Sequence, residues 1–287
     1  MDESMPVSTT VRRLLVGSRL RRLREAQGVS REDAGYVIRA SESKMSRLEL
    51  GRVSFKERDI ADLLVHYGVT DPVERDAFLA MARAANEPGW WREYEDVTPG
   101  WFANYIGLEE AAAGIRSYEV QFIPGLLQTP AYARAVIASA VPPPTERDVA
   151  RAVELRATRQ RVLTRPKPPH LWVVLDEAAL RRPVGDADVT RGQLRHLIDL
   201  TRSPRLALQV LPLRYGAHAA AGGAFSILRF ADPDLADVVY LEQLVSALYL
   251  DKTEHVDRYT EVLNRLSVES LTPQDTVAFL EHLLHEA

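Results

Sequence analysis

The stretch Val16–Gly68, VGSRLRRLREAQGVSREDAGYVIRASESKMSRLELGRVSFKERDIADLLVHYG, decides how the chain is read. Leu20 and Leu23 share one face of a predicted helix over Val16–Gln27, which Gly28 stops. Ser30 follows as an N-cap, with Asp33 at the third helical position, and this second helix runs to about Ile38. Ser41 caps a third, which ends at Leu50–Gly51. Lys56–Tyr67 and Pro72–Ala85 complete five helices, the last opening on a proline suited to a first turn.

Two short helices with a tight connection are what a major groove asks for, because the second must lie in it. On the third helix Met45 and Leu48 sit three apart and face the core, which leaves Glu42, Ser43, Ser46 and Arg47 outward and Lys44 at the edge. An arginine at 47 suits guanine O6 and N7, and a glutamate at 42 suits cytosine N4. Arg12, Arg13, Arg31, Arg39, Ser41, Lys44, Arg52 and Lys56 are placed for phosphates, which fix position without reading sequence.

Charge supports this assignment. Residues 12–58 hold 13 Lys+Arg against 6 Asp+Glu, a net +7, whereas residues 59–287 hold 23 against 32, a net −9. A basic module on an acidic body is the footprint of a polyanion binder, here double-stranded DNA. The chain has no cysteine, which excludes disulfides and thiol–metal sites. The start lacks the apolar run of a signal peptide and no window is apolar enough for a membrane helix, so a cytoplasmic protein without a membrane association is expected. No metal or other cofactor is expected. The seven histidines are scattered, and no HExxH or Gly-x-Ser-x-Gly pattern occurs.

Val16–Gly68 resembles the Xre/Cro-type helix-turn-helix family through Leu20-Arg-Arg-Leu-Arg24, Ser30-Arg-Glu-Asp33 and Ser41-Glu-Ser-Lys-Met-Ser-Arg-Leu-Glu-Leu-Gly51. The resemblance implies base reading by Glu42, Ser43 and Arg47, and a structural salt bridge between Arg24 and Glu49. The chain departs from the family where Arg31 replaces a common Gln, Ala34-Gly35 a common Leu-Ala, and Arg39 a common turn Gly. Gly35 is expected to weaken its helix by roughly 0.5–1 kcal/mol relative to Ala.

Beyond Asn86-Glu-Pro-Gly-Trp-Trp91 the patterns mix. Helices are expected over Leu108–Arg116, Thr129–Ser139, Glu146–Leu163, Val189–Thr201, Thr253–Leu266 and Pro273–Glu286. Strands are expected over Ser117–Phe122, Leu171–Leu175, Leu206–Leu211, Phe225–Phe230, Val238–Leu241 and Leu248–Leu250. The expected organisation is a flexible arm (1–15), an all-α helix-turn-helix domain of five helices (16–86) and an α+β domain (87–287).

Trp90-Trp91, Tyr105-Ile-Gly-Leu-Glu-Glu-Ala111, Ile115-Arg-Ser-Tyr-Glu119, Pro124-Gly-Leu-Leu-Gln-Thr129, Tyr132-Ala-Arg134, Leu175–Arg181 and Val239-Tyr-Leu-Glu242 resemble an actinobacterial regulator family with a C-terminal DUF5753 domain. The resemblance implies an antitoxin-like transcriptional regulator, not an enzyme, paired with a small DUF397-type partner protein. A single such module reads only a few base pairs, so a homodimer on an inverted-repeat operator is expected. The alternative is an enzyme or small-ligand sensor fused to the same DNA-binding module. Phe122–Pro130 reads as a strand, a Pro-Gly turn and a helix start, a structural corner or part of a ligand or partner groove. The glycine-rich Arg214–Gly223 reads as a mobile loop, or as a lid over an effector site beside Asp176, Glu177 and Glu242.

Overall fold

The computed structural model describes residues 9–233 and 235–286. The chain splits into two compact units, Met1–Arg92 with Ala231–Leu235 and Glu93–Phe230 with Ala236–Ala287.

The first unit holds five helices: α1 (Thr9–Ala26), α2 (Arg31–Val37), α3 (Glu42–Glu49), α4 (Glu57–His66) and α5 (Pro72–Ala84). Residues 9–15, expected in a flexible arm, are instead the first turns of α1, with Thr10 and Val11 buried; residues 1–8 of that arm lie outside the described residues. The caps follow the sequence. Ser30 accepts from Asp33 N–H, Ser41 from Lys44 N–H and Asp71 from Val73 N–H. The core they enclose includes Val16, Leu20, Ile38, Met45, Leu48, Ile60, Leu63 and Phe78. Asn86, at the expected domain boundary, pins the α3–α4 connection, since its side chain exchanges two hydrogen bonds with the backbone of Phe55 at 2.9 and 2.6 Å.

The turn between α2 and α3 is a Schellman motif. Ala40 N–H reaches Gly35 O at 2.8 Å and Arg39 N–H reaches Tyr36 O at 3.1 Å. Arg39 occupies the left-handed position with φ 53°. Gly35 does more than weaken the helix, because a Cβ there would stand 2.7 Å from the Ala40 carbonyl oxygen.

The second unit is built on a six-stranded mixed sheet in the order β3-β2-β1-β4-β5-β6. The strands are β1 (Gly114–Glu119), β2 (His170–Asp176), β3 (Leu206–Leu211), β4 (Phe225–Arg229), β5 (Val238–Glu242) and β6 (Ala247–Leu250). β1, β2 and β3 run parallel, and β4, β5 and β6 are added antiparallel. Helices α7 (Pro130–Ala138) and α8 (Glu146–Gln160) link β1 to β2, α9 (Glu177–Arg181) and α10 (Ala187–Leu200) link β2 to β3, and α11 (Thr253–Glu269) and α12 (Pro273–Glu286) close the chain.

The helix expected over Leu108–Arg116 is misplaced. α6 spans Gly100–Ala111, and Ile115 and Arg116 belong to β1. The reason is burial on several sides, since Tyr105, Ile106, Gly107, Leu108 and Glu109 are all buried and leave no amphipathic stripe to read.

The two faces of the sheet differ in chemistry. One carries Tyr118, Val174, Leu211, Phe225, Ile227, Val239 and Leu241, packed against Leu263 and Leu266 of α11. Strand alternation puts Ser117, Glu119, Ser226, Tyr240 and Glu242 on the other face, where Tyr105 of α6 meets Tyr240 at 4.2 Å between ring centroids.

Candidate nucleic-acid interface

α3 turns Met45, Leu48 and Glu49 into the helical core and leaves Glu42, Ser43 and Arg47 exposed, with Ser46 half-buried. The guanidinium of Arg47 folds back to donate to Ser43 O at 3.4 Å. The four expected base readers thus share one helix, and three of them are exposed.

Behind that face stands a buried ion pair. Arg24 on α1 donates through Nε to Glu49 Oε1 at 2.5 Å and through NH2 to Oε2 at 3.2 Å, and its NH1 holds Val29 O at 2.8 Å. The hydrogen bond from Arg24 to Glu49 raises the guanidinium pKa, against the lowering effect of burial. Arg31, at the start of α2, joins the same carboxylate with Nε 2.9 Å from Oε2. One carboxylate therefore ties α1, α2 and α3 together, which goes beyond the two-residue bridge expected from the sequence. Tyr67 is buried against this group, and desolvation followed by the Glu49 charge raises its phenol pKa.

The expected phosphate contacts divide. Arg39, Ser41, Arg52 and Lys56 are exposed. Ser41 is also the cap of α3, 3.2 Å from Lys44 N–H. Lys44 is half-buried, with its ammonium 3.3 Å from Asp59 of α4. Arg12 and Arg13 turn inward. Arg13 Nε donates to Ala85 O at 2.9 Å, and Arg12 NH1 to Ala84 O at 3.4 Å and to Glu87 at 3.2 Å. These carbonyls lie at the C-terminal end of α5, where the helix dipole draws cations. Burial lowers the Arg13 pKa, as it does for a guanidinium withdrawn from water. Spacing alone cannot show this, because the acceptors lie 72 residues away.

In the second unit Pro124–Thr129 forms a pinned corner. Gln160 donates to Gly125 O and Gln128 O at 3.0 and 2.7 Å, and Gln193 donates to Leu127 O at 2.7 Å and accepts from Thr129 N–H at 2.7 Å. Arg156 donates to Gln128 Oε1 at 2.5 Å. Beneath it Arg159 and Glu109 make a buried bidentate pair at 2.8 and 2.7 Å. Burial and the neighbouring Arg159 push Arg156 down to about 10. Glu119 is pushed up to about 8, first by desolvation and then by the Glu242 carboxylate. No periodicity marks these charges as internal, so the sequence reading missed them.

The Arg214–Gly223 loop reaches one of the expected acids through Tyr118. His218 Nδ1 accepts from Ala220 N–H at 3.2 Å, its Nε2 stands 3.2 Å from Tyr118 Oη, and that hydroxyl donates to Asp176 Oδ2 at 3.0 Å. Glu177 accepts from Leu213 N–H at 2.9 Å and pairs with Arg181 at 2.5 Å. Glu242 does not join them, because alternation along β5 places it with Tyr240 on the opposite face of the sheet. The expected grouping of Asp176, Glu177 and Glu242 is therefore corrected to Asp176 and Glu177 alone. Asp176 caps α9 through Ala178 N–H at 2.9 Å.

No helix among the described residues is long and apolar enough to cross a membrane. No curated protein and no solved structure matches the chain. A family described as a helix-turn-helix domain matches residues 15–78, and the domain of unknown function DUF5753 matches residues 102–282. The chain carries a DNA-binding helix-turn-helix domain at its N-terminal end and, through the larger part of its length, belongs to the DUF5753 family.

Proposed function

We propose that the chain is a sequence-specific transcriptional regulator of the Xre/Cro type, acting as a homodimer on an inverted-repeat operator. Glu42, Ser43, Ser46 and Arg47 read bases, and Arg39, Arg52 and Lys56 hold phosphates, with Arg31 contributing from its place on Glu49. Arg12 and Arg13 serve the fold of the module instead. The observation that carries this reading is the exposed polar face of α3, braced from behind by the pairing of Glu49 with Arg24 and Arg31. The C-terminal domain supplies control, through a small DUF397-type partner protein or a ligand, in an antitoxin-like, non-enzymatic arrangement.

The test is a selection of bound duplexes from a random pool, followed by titration of the recovered sequence. The Arg47→Ala variant should lose roughly 1–3 kcal/mol of discrimination at one base pair of each half-site. Wild-type affinity should fall steeply as salt rises. Unchanged preference in Arg47→Ala would remove α3 as the reading helix. A mobility shift with and without a small DUF397-type protein tests the control, and a partner that leaves the shift unaltered would count against it.

A further inference from the structure

α11 covers part of the sheet face on which it packs. Leu263 and Leu266 sit with Tyr118, Val174 and Leu211, which belong to the carboxyl halves of β1, β2 and β3. Strand alternation puts Arg116, Trp172 and Ala207 on the same face, and the register lines them up in one row across the amino halves. The covered residues are buried, whereas these three are half-buried.

The end of α11 and the start of α12 make this row one side of an open cleft of about 420 Å³, whose lining includes Trp172, Ala207, Gln209, Asn264, Val268 and Pro273. That size is ordinary for a small-molecule site. The polar groups of Gln209 are already engaged. It accepts from the Trp172 indole N–H at 2.7 Å and donates to Ser267 O and Leu271 O at 3.0 and 2.9 Å. Arg116 stands at the edge of the cleft. Its Cζ lies 4.5 Å from the Trp172 ring centroid, and NH2 donates to Asn264 Oδ1 at 2.6 Å. Its Nε is buried without a partner, and no carboxylate pairs with Arg116 among the described residues. Burial, and then the neighbouring Arg229, lower its pKa, so this cation lacks a counter-charge. Arg229 itself pairs with Asp237 at 2.8 Å.

We propose that this cleft binds a small planar aromatic molecule carrying one anionic group, its ring against Trp172 and its anion at Arg116. Trp172 supplies a flat apolar surface, and Ala207 beside it is small enough to leave room above the sheet. Val268, 86% exposed at the rim, is shielded from water when the ring enters. The anion supplies the partner that Arg116 lacks. A neutral aromatic leaves the guanidinium uncompensated, and a bare anion leaves the apolar walls wet, so the ligand needs both parts. The guanidinium is already placed by the indole and by Asn264, so it loses little freedom on meeting a carboxylate. The site lies within the DUF5753 match and does not depend on the reading of the chain as an operator-binding protein.

The test uses the full chain without DNA and 1-naphthoate as the probe. The chain has four tryptophans, so the indole N–H resonance of Trp172 is identified by its loss in Trp172→Phe. 1-Naphthoate should shift that resonance in a saturable way, and neutral 1-naphthalenemethanol and aliphatic octanoate should each bind roughly tenfold more weakly. Arg116→Gln should remove the advantage of the acid over the alcohol. Val268→Glu, at an exposed rim position, should weaken 1-naphthoate about threefold and leave the alcohol unchanged. The comparison of the three compounds needs the wild type alone, so it stands even where a variant folds poorly. A Trp172 resonance unmoved by millimolar 1-naphthoate overturns the site. Equal binding of acid and alcohol overturns the assignment of the anion to Arg116, and equal binding of octanoate overturns the aromatic preference.

Discussion

Arg39 holds a left-handed conformation that glycine enters without penalty, at φ 53° in the turn before α3. Its departure from the family's glycine was visible in the sequence. The compensating role of Gly35 was not, because it depends on where the Ala40 carbonyl lands once the Schellman turn has closed. Arg39→Gly should stabilise the helical unit by about 1 kcal/mol, read by urea unfolding. The same variant should bind DNA more weakly and with a shallower salt dependence, since one phosphate contact is lost. Stabilisation without loss of affinity would show that Arg39 is an incidental strain. Gly35→Ala should destabilise, although helix propensity alone argues the reverse.

Among the elements, α2, α3 and α5 were legible because the caps Ser30 and Ser41 and the opening Pro72 announce their starts locally. α6 was illegible for the opposite reason, as its buried residues point several ways and its true end, before Gly114, carries no strong punctuation. Close approaches between elements are equally silent. A Cβ on Gly17 of α1 would stand 2.4 Å from Glu49 O, and one on Gly51 would stand 2.7 Å from the backbone of Arg13. α1 and the end of α3 thus touch backbone to backbone, which sets the depth of Arg24 against Glu49. Gly17→Ala forces the two helices apart and should cost about 1–3 kcal/mol of stability, as overpacking does. It should also lower DNA affinity through the displaced α3. A variant as stable as wild type in chemical denaturation would refute the close packing. The exposed polar face of α3, by contrast, was legible in the sequence because a helix face needs only spacing, whereas the inward turn of Arg12 and Arg13 needs the fold.

At the scale of the whole molecule the charge is divided, and the acidic part carries its titratable surprises inside. Glu119 keeps its proton up to about 8 in the folded chain, while an unfolded glutamate loses it near the ordinary value. Between those limits the unfolded state binds fewer protons, so stability falls as pH rises through that window and levels off above it. Glu119→Gln should flatten this slope and leave the chain more stable than wild type at pH 8 and above, read from unfolding midpoints across the range. A slope unaltered by the substitution would assign it to other groups. In the helical unit, Glu49 gathers Arg24 and Arg31 on one carboxylate. A guanidinium tethered in this way has surrendered most of its rotamer freedom during folding. Were Arg31 to dock on a phosphate, as proposed, this would spare much of the roughly 0.5–1.5 kcal/mol that ordering a long side chain costs at an interface. On the proposed reading the module would meet the duplex with its guanidinium already placed, and selectivity would then depend on whether the DNA can adapt to the protein.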